Sequence, residues 1–500
     1  MIEIISKETL FTYNLYHIVK AFFPDAEIRQ RVDGEQEPLV KFTIDGGSCF
    51  SVAEEELEAA FKEAPGKKAE TKERDTESIR QMRKRFVTHR VYEELSTRTG
   101  RRLSWGMLTG VRPTKLVMQK IENGKDAKEI IEFLKKEYSV SLEKAELAVE
   151  IAKREKRQME CLHTPDGFSL YVGIPFCPSI CSYCSFSSSP AEQWKEQMDP
   201  YLDALCKEIK AVGKMVSGKI LDTVYIGGGT PTTLSAEQLE RLLACIDESF
   251  SMETVQEYTV EAGRPDSITE EKLKVIRRYP VTRISINPQT MQQKTLDLVG
   301  RKHTVEDVKR IFRLARELGF DNINMDLIAG LPGECASDMR DTLRQIENLG
   351  PDSLTIHSLA IKRAAKMGQD AKAKLHTSEA EENFAGEIGQ MVEDGAASAK
   401  RMGLWPYYLY RQKNIAGNFE NVGYAKVDKA GIYNILIMEE KQTILACGAG
   451  AGTKIVLPEK VRLENGKMTN LIRIENVKNI MEYINRIDEM IERKGDWLWH

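Results

Sequence analysis

The sequence predicts an α/β protein built on a parallel sheet. Three observations carry this. Six apolar strand-like runs between Phe168 and His357 alternate with amphipathic helical stretches. Residues with chemical character fall just after those runs. Three cysteines, Cys177, Cys181 and Cys184, follow the first run at positions i, i+4 and i+7.

The runs are Phe168–Gly173, Thr223–Ile226, Tyr258–Glu261, Arg283–Ile286, Ile323–Leu327 and Ser353–His357. The stretches Tyr201–Val212, Ala236–Phe250, Glu270–Tyr279, Val305–Leu318 and Met339–Leu349 carry helical spacing. Strand–helix alternation at this spacing builds βα units and a parallel sheet, as an open twisted sheet or a partial barrel. In either form the ligand site lies at the carboxyl ends of the strands. The candidate residues sit there: the cysteines, then Gly227-Gly228-Gly229-Thr230-Pro231, Glu261, Asn287-Pro288-Gln289, Asp326 before Gly330-Leu331-Pro332-Gly333, and Ser358-Leu359-Ala360.

Ahead of this core, residues 1–62 mix signals. Glu8–Phe23 has helical spacing, Ala26–Arg31 and Leu39–Ile44 read as strands, and Asp45-Gly46-Gly47 is a turn that closes a hairpin. Residues 63–80 are highly charged, as a linker into a solvated helix would be. A helical region then runs to about Cys161, interrupted between Arg101 and Lys115. Trp105, among several Arg and Lys, suits either the binding of an anion or docking on the next domain, and docking is the expectation. Beyond Ile361 come a charged helical region, the aromatic and basic run Trp405–Asn414, a strand-like Ile432–Met438, and a small-residue loop Cys447–Lys454 where backbone approaches something closely. The last twenty-five residues read as a helix. The expected divisions are 1–62, 63–165, 166–361 and 362–500.

Composition bounds the class. The chain has 500 residues, 41% hydrophobic and 30% charged, with a net charge of -4. That is a globular balance, and it argues against a dominant nucleic-acid or anionic-membrane surface. No run of eighteen apolar residues suggests a transmembrane helix, and the charged N-terminus does not read as a signal peptide. Nine scattered cysteines point to reduced thiols and a cytoplasmic setting.

Three thiolates this close share one site if deprotonated together. Structural zinc takes four protein ligands, usually as separated pairs. Three ligands on a cubane iron–sulfur cluster leave one iron open for a substrate. The alternative is three half-buried structural cysteines.

The phrase Tyr-x-x-Ile-Pro-Phe-Cys-x-x-x-Cys-x-x-Cys, then Gly-Gly-Gly-Thr-Pro-Thr, then Asp-Leu-Ile-x-Gly-Leu-Pro-Gly resembles the radical S-adenosylmethionine (SAM) enzymes. Within them the chain is similar to the oxygen-independent coproporphyrinogen III oxidase (dehydrogenase) family, HemZ branch. The stretches Ser104–Lys115, Arg283–Gln289 and Pro406–Asn414 carry that second likeness. The resemblance implies a partial (β/α)6 radical SAM barrel with an N-terminal α+β region and a C-terminal α+β extension that covers the substrate. It implies a [4Fe–4S] cluster on Cys177, Cys181 and Cys184. It implies S-adenosylmethionine contacts at Tyr171, Tyr183, Gly228, Gly229, Thr230, Glu261, Gln289, Arg301, Asp326 and Ala360.

The implied reaction is oxidative decarboxylation of coproporphyrinogen III to protoporphyrinogen IX in haem biosynthesis, by a 5′-deoxyadenosyl radical. A reducing donor such as flavodoxin or ferredoxin is the implied partner. Arg411 and Lys413, beside Tyr407, Tyr408 and Tyr410, are candidates for the substrate propionates. Two departures stand out. Phe186 occupies the place of a further family cysteine, and Asn287 replaces a glycine. The Cys-x-Phe ending also fits related haem chaperones, and a haem-modifying radical methyltransferase is a third reading. For those, His303 and His357 are the histidines nearest the expected site.

Overall fold

The computed structural model describes residues 1–23, 26–35, 37–44, 46–63, 74–184, 188–359, 378–412, 419–463, 466 and 468–498. The chain forms two compact units. One comprises Met1–Lys153 with Tyr410–Glu420, the other Arg154–Leu409 with Asn421–His500.

The first unit opens with strands β1 (Ile2–Ser6), β2 (Ile28–Val32), β3 (Val40–Ile44) and β4 (Gly47–Val52), in sheet order β2-β1-β3-β4. Gly46, at φ +81°, turns the antiparallel β3–β4 hairpin. The apolar stripe of helix Thr9–Phe22 (Phe11, Leu15, Ile18, Val19 and Phe22) covers this sheet. Val87, Val91, Tyr92 and Leu95 of helix Arg74–Thr99 enter the same core. The expected boundary near residue 62 therefore does not divide a core.

Trp105 is fully buried in this unit, and its indole Nε1 donates to Glu420 Oε2 at 2.7 Å. Lys144 Nζ sits 2.7 Å from the other Glu420 oxygen. The segment after Leu409 thus supplies the anion that an N-terminal tryptophan and lysine require, and burial without it would be costly.

The second unit is organised by one sheet. Its strands are β5 (Gly167–Ile174), β8 (Ile220–Gly228), β9 (Glu257–Gly263), β10 (Arg283–Ile286), β11 (Ile323–Ala329), β12 (Ser353–Ser358), β13 (Trp405–Arg411), β14 (Glu420–Ala425), β15 (Thr443–Cys447), β16 (Gly452–Arg462) and β17 (Met468–Glu475). The two short strands β6 (Phe176–Cys177) and β7 (Ser189–Pro190) pair with each other. The sheet order is β13-β14-β12-β11-β10-β9-β8-β5-β15-β16-β17. Six neighbouring strands, β5 and β8–β12, run parallel in chain order, as the alternation of runs and helices predicts.

Strand alternation sorts the two faces. Leu170, Val172, Val224, Ile226, Val260, Ile284, Met325, Leu327, Leu354 and Ile356 point outward and are almost fully buried. Helices such as Ala236–Ser249 and Val305–Glu317 cover them with their own apolar stripes. Each such side chain contributes roughly 1.5–3 kcal/mol by leaving water.

Two elements differ from expectation. Ile432–Glu439 is a helix, not a strand. A short apolar run buried on most sides carries no period that separates the two. The C-terminal region also supplies β13–β17 to the same sheet, so the boundary at 361 is not a boundary between sheets. Gly448 satisfies the expected close approach: at φ +111°, a Cβ there would lie 2.5 Å from Gly173 O.

Candidate active site

The cysteine loop begins where β5 ends. Gly229 N donates to Ile174 O at 2.6 Å and Thr230 N to Phe176 O at 2.7 Å, so the glycine-rich turn after β8 clamps the chain into Cys177. A Cβ on Gly229 would lie 2.5 Å from Phe176 O, and Gly228 sits at φ +106° beside the Tyr171 hydroxyl. Backbone must pass there unencumbered.

Cys177 and Cys181 are buried and Cys184 is half-buried. Thr230 Oγ1 donates to Cys177 Sγ at 3.5 Å. Arg264 Nη1 lies 3.7 Å from Cys181 Sγ. Among the described residues no three His, Cys, Asp or Glu side chains converge on a single-ion site. A cubane does not ask for that, because its ligands attach to separate iron atoms. Three thiols on one clamped loop, two with hydrogen-bond donors at sulfur, form a donor set that fits a [4Fe–4S] cluster.

The inner face of the six-stranded sheet is largely polar, with Ile328 an apolar exception at its carboxyl end. Register aligns Ser169 and Tyr171 with Thr223 and Tyr225, then with Glu257 and Thr259. Arg283 pairs with Thr259, Ser285 with Asn324, and Asn324 and Asp326 with Ser353 and Thr355. These groups satisfy one another: Ser169 with Thr223 at 2.8 Å, Arg283 with Ser353 at 3.1 Å, Asn324 with Asp326 at 2.7 Å. Buried polar groups persist only when paired in this way.

Three tyrosines line the same face. Tyr171 and Tyr225 stack with centroids 6.3 Å apart, and Tyr433 lies 4.4 Å from Tyr225 and 6.0 Å from Tyr171. The Tyr225 hydroxyl donates to Glu261 Oε1. Burial pushes the Glu261 carboxyl up to about 7, against the pull of that hydrogen bond. Burial disfavours the Asp326 charge, but His357, with Nε2 at 3.7 Å, and Asn324 hold the group below the usual carboxylate range.

Gln289 stands just after β10, and Arg301 just after the short helix Gln293–Leu298 that follows. Among the described residues Gln289 is one of four non-glycine residues with positive φ, at +70°, and its Oε1 is buried without a hydrogen bond. Such strain persists only where surroundings enforce it. An unpaired buried acceptor at a strand end suits a ligand donor. Arg301 donates to the Tyr183 hydroxyl at 2.9 Å and to Asn287 O at 2.6 Å, tying the cysteine loop to β10.

The structure thus gathers Tyr171, Gly228, Gly229, Thr230 and Glu261 around the first two loops, Tyr183 with Arg301, and Gln289 with Asp326 through backbone pairing. Ala360, Phe186 and Lys413 lie outside the described residues. Arg411 is not the rim cation expected of a propionate ligand. It is 2% exposed, donates to Leu108 O, and faces the Trp105 ring at 5.7 Å. A residue that serves the packing of the first unit is not free to meet an anion. His303 is likewise buried, 3.8 Å from Asp266.

Sequence reading missed Tyr225, Arg264 and Tyr433. Tyr225 follows from alternation with Thr223 in β8. Arg264 stands in the turn after the third strand. Nothing local marks Tyr433.

Comparison with known proteins agrees with this geometry. A family model described as the radical SAM superfamily matches residues 171–346. The oxygen-independent coproporphyrinogen-III oxidase-like protein HemZ of Bacillus subtilis (strain 168) is 40% identical over 428 residues, 85% of this chain and 82% of that protein. The heme chaperone HemW of the same organism is 36% identical over 195 residues, 39% of this chain and 51% of its own. The solved structure of coproporphyrinogen III oxidase (HemN) from Escherichia coli superposes with a TM-score of 0.51 at 23% identity, over 67% of this chain and 73% of that one. It shares the fold. No helix among the described residues is long and apolar enough to cross a membrane.

Proposed function

Taking as premise that this chain belongs to the radical SAM superfamily and, within it, to the family of the HemZ coproporphyrinogen-III oxidase-like protein, we propose that it decarboxylates coproporphyrinogen III oxidatively to protoporphyrinogen IX. The chain uses a [4Fe–4S] cluster and S-adenosylmethionine. When bound, these supply a 5′-deoxyadenosyl radical that can take a hydrogen atom from a propionate β-carbon.

Everything else is the work of this chain's residues. Cys177, Cys181 and Cys184 hold the cluster. Gly228, Gly229 and Thr230 bring bare backbone close to the methionine end of the cofactor. Ionised Glu261 accepts from the cofactor's ammonium group, Gln289 offers its unpaired amide oxygen, and Asp326 suits the ribose diol. Arg301 holds Tyr183 against the loop, where it flanks the adenine. The three stacked tyrosines and the apolar outer shell keep bulk water from the reacting carbon.

The observation that carries the reading is the clamped cysteine loop at the carboxyl end of a six-stranded parallel sheet whose inner face is largely polar, a setting that positions a reactive group. A second reading, haem binding and delivery, draws support from the likeness to heme chaperone HemW over the shared core. Anaerobic incubation with coproporphyrinogen III, S-adenosylmethionine and dithionite separates them, with Cys181→Ala as blank. The decarboxylase reading expects vinyl products by mass spectrometry alongside 5′-deoxyadenosine. Formation of 5′-deoxyadenosine alone, with stoichiometric haem retention, would favour the chaperone.

A further inference from the structure

At the end of β9, Gly263 turns at φ +69° and sends Arg264 back to the cysteine loop. The side chain is 5% exposed. Its Nη1 donates to Ser179 O at 2.8 Å and Ser179 Oγ at 2.9 Å, and reaches Cys181 Sγ at 3.7 Å. Its Nε and Nη2 form a fork to Asp266 at 3.0 and 2.6 Å. His303 Nδ1 stands 3.8 Å from Asp266 on that carboxylate's other flank.

A guanidinium this deep is expensive to desolvate, and a loop needing only a clamp has a neutral solution. Thr230 shows one: a hydroxyl on Cys177 sulfur with no charge involved. At Cys181 the chain instead keeps a fixed cation, oriented by a two-pronged hydrogen bond to the Asp266 carboxylate.

We propose that Arg264, positioned by Asp266, sets the reduction potential of the cluster through its charge and its N–H group at Cys181 sulfur. Reduction is a one-electron step. An electron from a low-potential reductant adds one negative charge to the cluster core, with no proton transferred and no bond broken. A cation fixed at a ligand sulfur stabilises that product, and the nearby carboxylate opposes it. Hydrogen bonds to sulfur and local charge are the protein's main levers on such potentials. Arg264 is therefore a positioning and tuning residue that acts through Cys181, not a catalytic one.

The inference rests on the cluster assignment above. Its test is a dye-mediated redox titration of the reconstituted full-length chain without S-adenosylmethionine, followed by visible absorbance and electron paramagnetic resonance. Arg264→Gln shifts the midpoint to more negative values. Asp266→Asn shifts it to more positive values, because a negative charge is removed while Ser179 and the remaining amide oxygen keep the guanidinium in place. Opposite signs are not produced by a loop clamp alone. Variants with wild-type iron and sulfide content that show no shift, or shifts of the same sign, overturn the proposal. Should Arg264→Gln retain no iron, Asp266→Asn decides by itself, and a midpoint at or below wild type overturns it. Wild-type chain that takes up no iron overturns the cluster assignment and this inference with it.

Discussion

At the scale of single residues, burial brings the titration of Glu261 close to neutral pH. Burial raises its carboxyl to about 7, whereas an unfolded glutamate titrates at about 4.3. The folded chain therefore binds more protons than the unfolded chain between these values. Glu261's contribution to stability is full below about 4.3 and is lost as pH rises through about 7. Thermal unfolding of the apo chain at pH 5 and pH 8 should show this loss, and Glu261→Gln should reduce the difference. An unchanged difference in the variant would contradict the assignment. The same ionisation prepares the acceptor that the proposed cofactor contact needs. Gln289 adds the second local signature, a strained backbone with an unpaired amide oxygen.

Among elements, the C-terminal helix Ile487–Leu498 does more than close the chain. Its Lys494 is fully buried and donates to Glu208 at 2.6 Å and to Asn476 at 2.8 Å. Glu208 also accepts from Gly448 N and the Tyr483 hydroxyl. The Tyr201 hydroxyl, on the same helix as Glu208, donates to Gly173 O at 2.7 Å and accepts from Ala449 N. The network so braces β5 a few residues before Cys177. Lys494→Met leaves a buried carboxylate without its counter-charge, which costs roughly 3–5 kcal/mol. Urea unfolding should show that loss, and Glu208→Gln combined with Lys494→Met should recover part of it. A single variant as stable as the wild type would remove the brace from this account.

At the scale of the molecule, the chain's two units are not two consecutive stretches. Residues 410–420 belong with the first 153, and the partners of Arg411 in that unit (Leu108 O, Val111 O and the Trp105 ring) all precede residue 154. Fragment 154–500 therefore lacks these three partners of Arg411. Limited trypsinolysis is expected to cut after Arg411 in the fragment much faster than in the full chain. Equal rates would show that the first unit does not protect it.

What the sequence by itself determined is what local order encodes. The alternation of runs and helices carries the parallel six-stranded core, because period and length are properties of adjacent residues. Cysteine spacing and the glycine turn carry the site's location, because both lie at strand ends in any fold of this class. Only tertiary structure decided the rest. The polar inner face exists because register sets Ser169 opposite Thr223 and Asn324 opposite Ser353, and no single strand contains that information. Arg411 reads as an exposed cation beside aromatics until its partners in the first unit bury it. Ile432–Glu439 is a helix because its apolar side chains find neighbours on most sides, so periodicity has nothing to report. Tyr433 and Arg264 join the site from the far end of the chain and from the next loop. Burial, charge pairing and hydrogen bonding are set by neighbours in space, and a chain's order names only its neighbours in sequence.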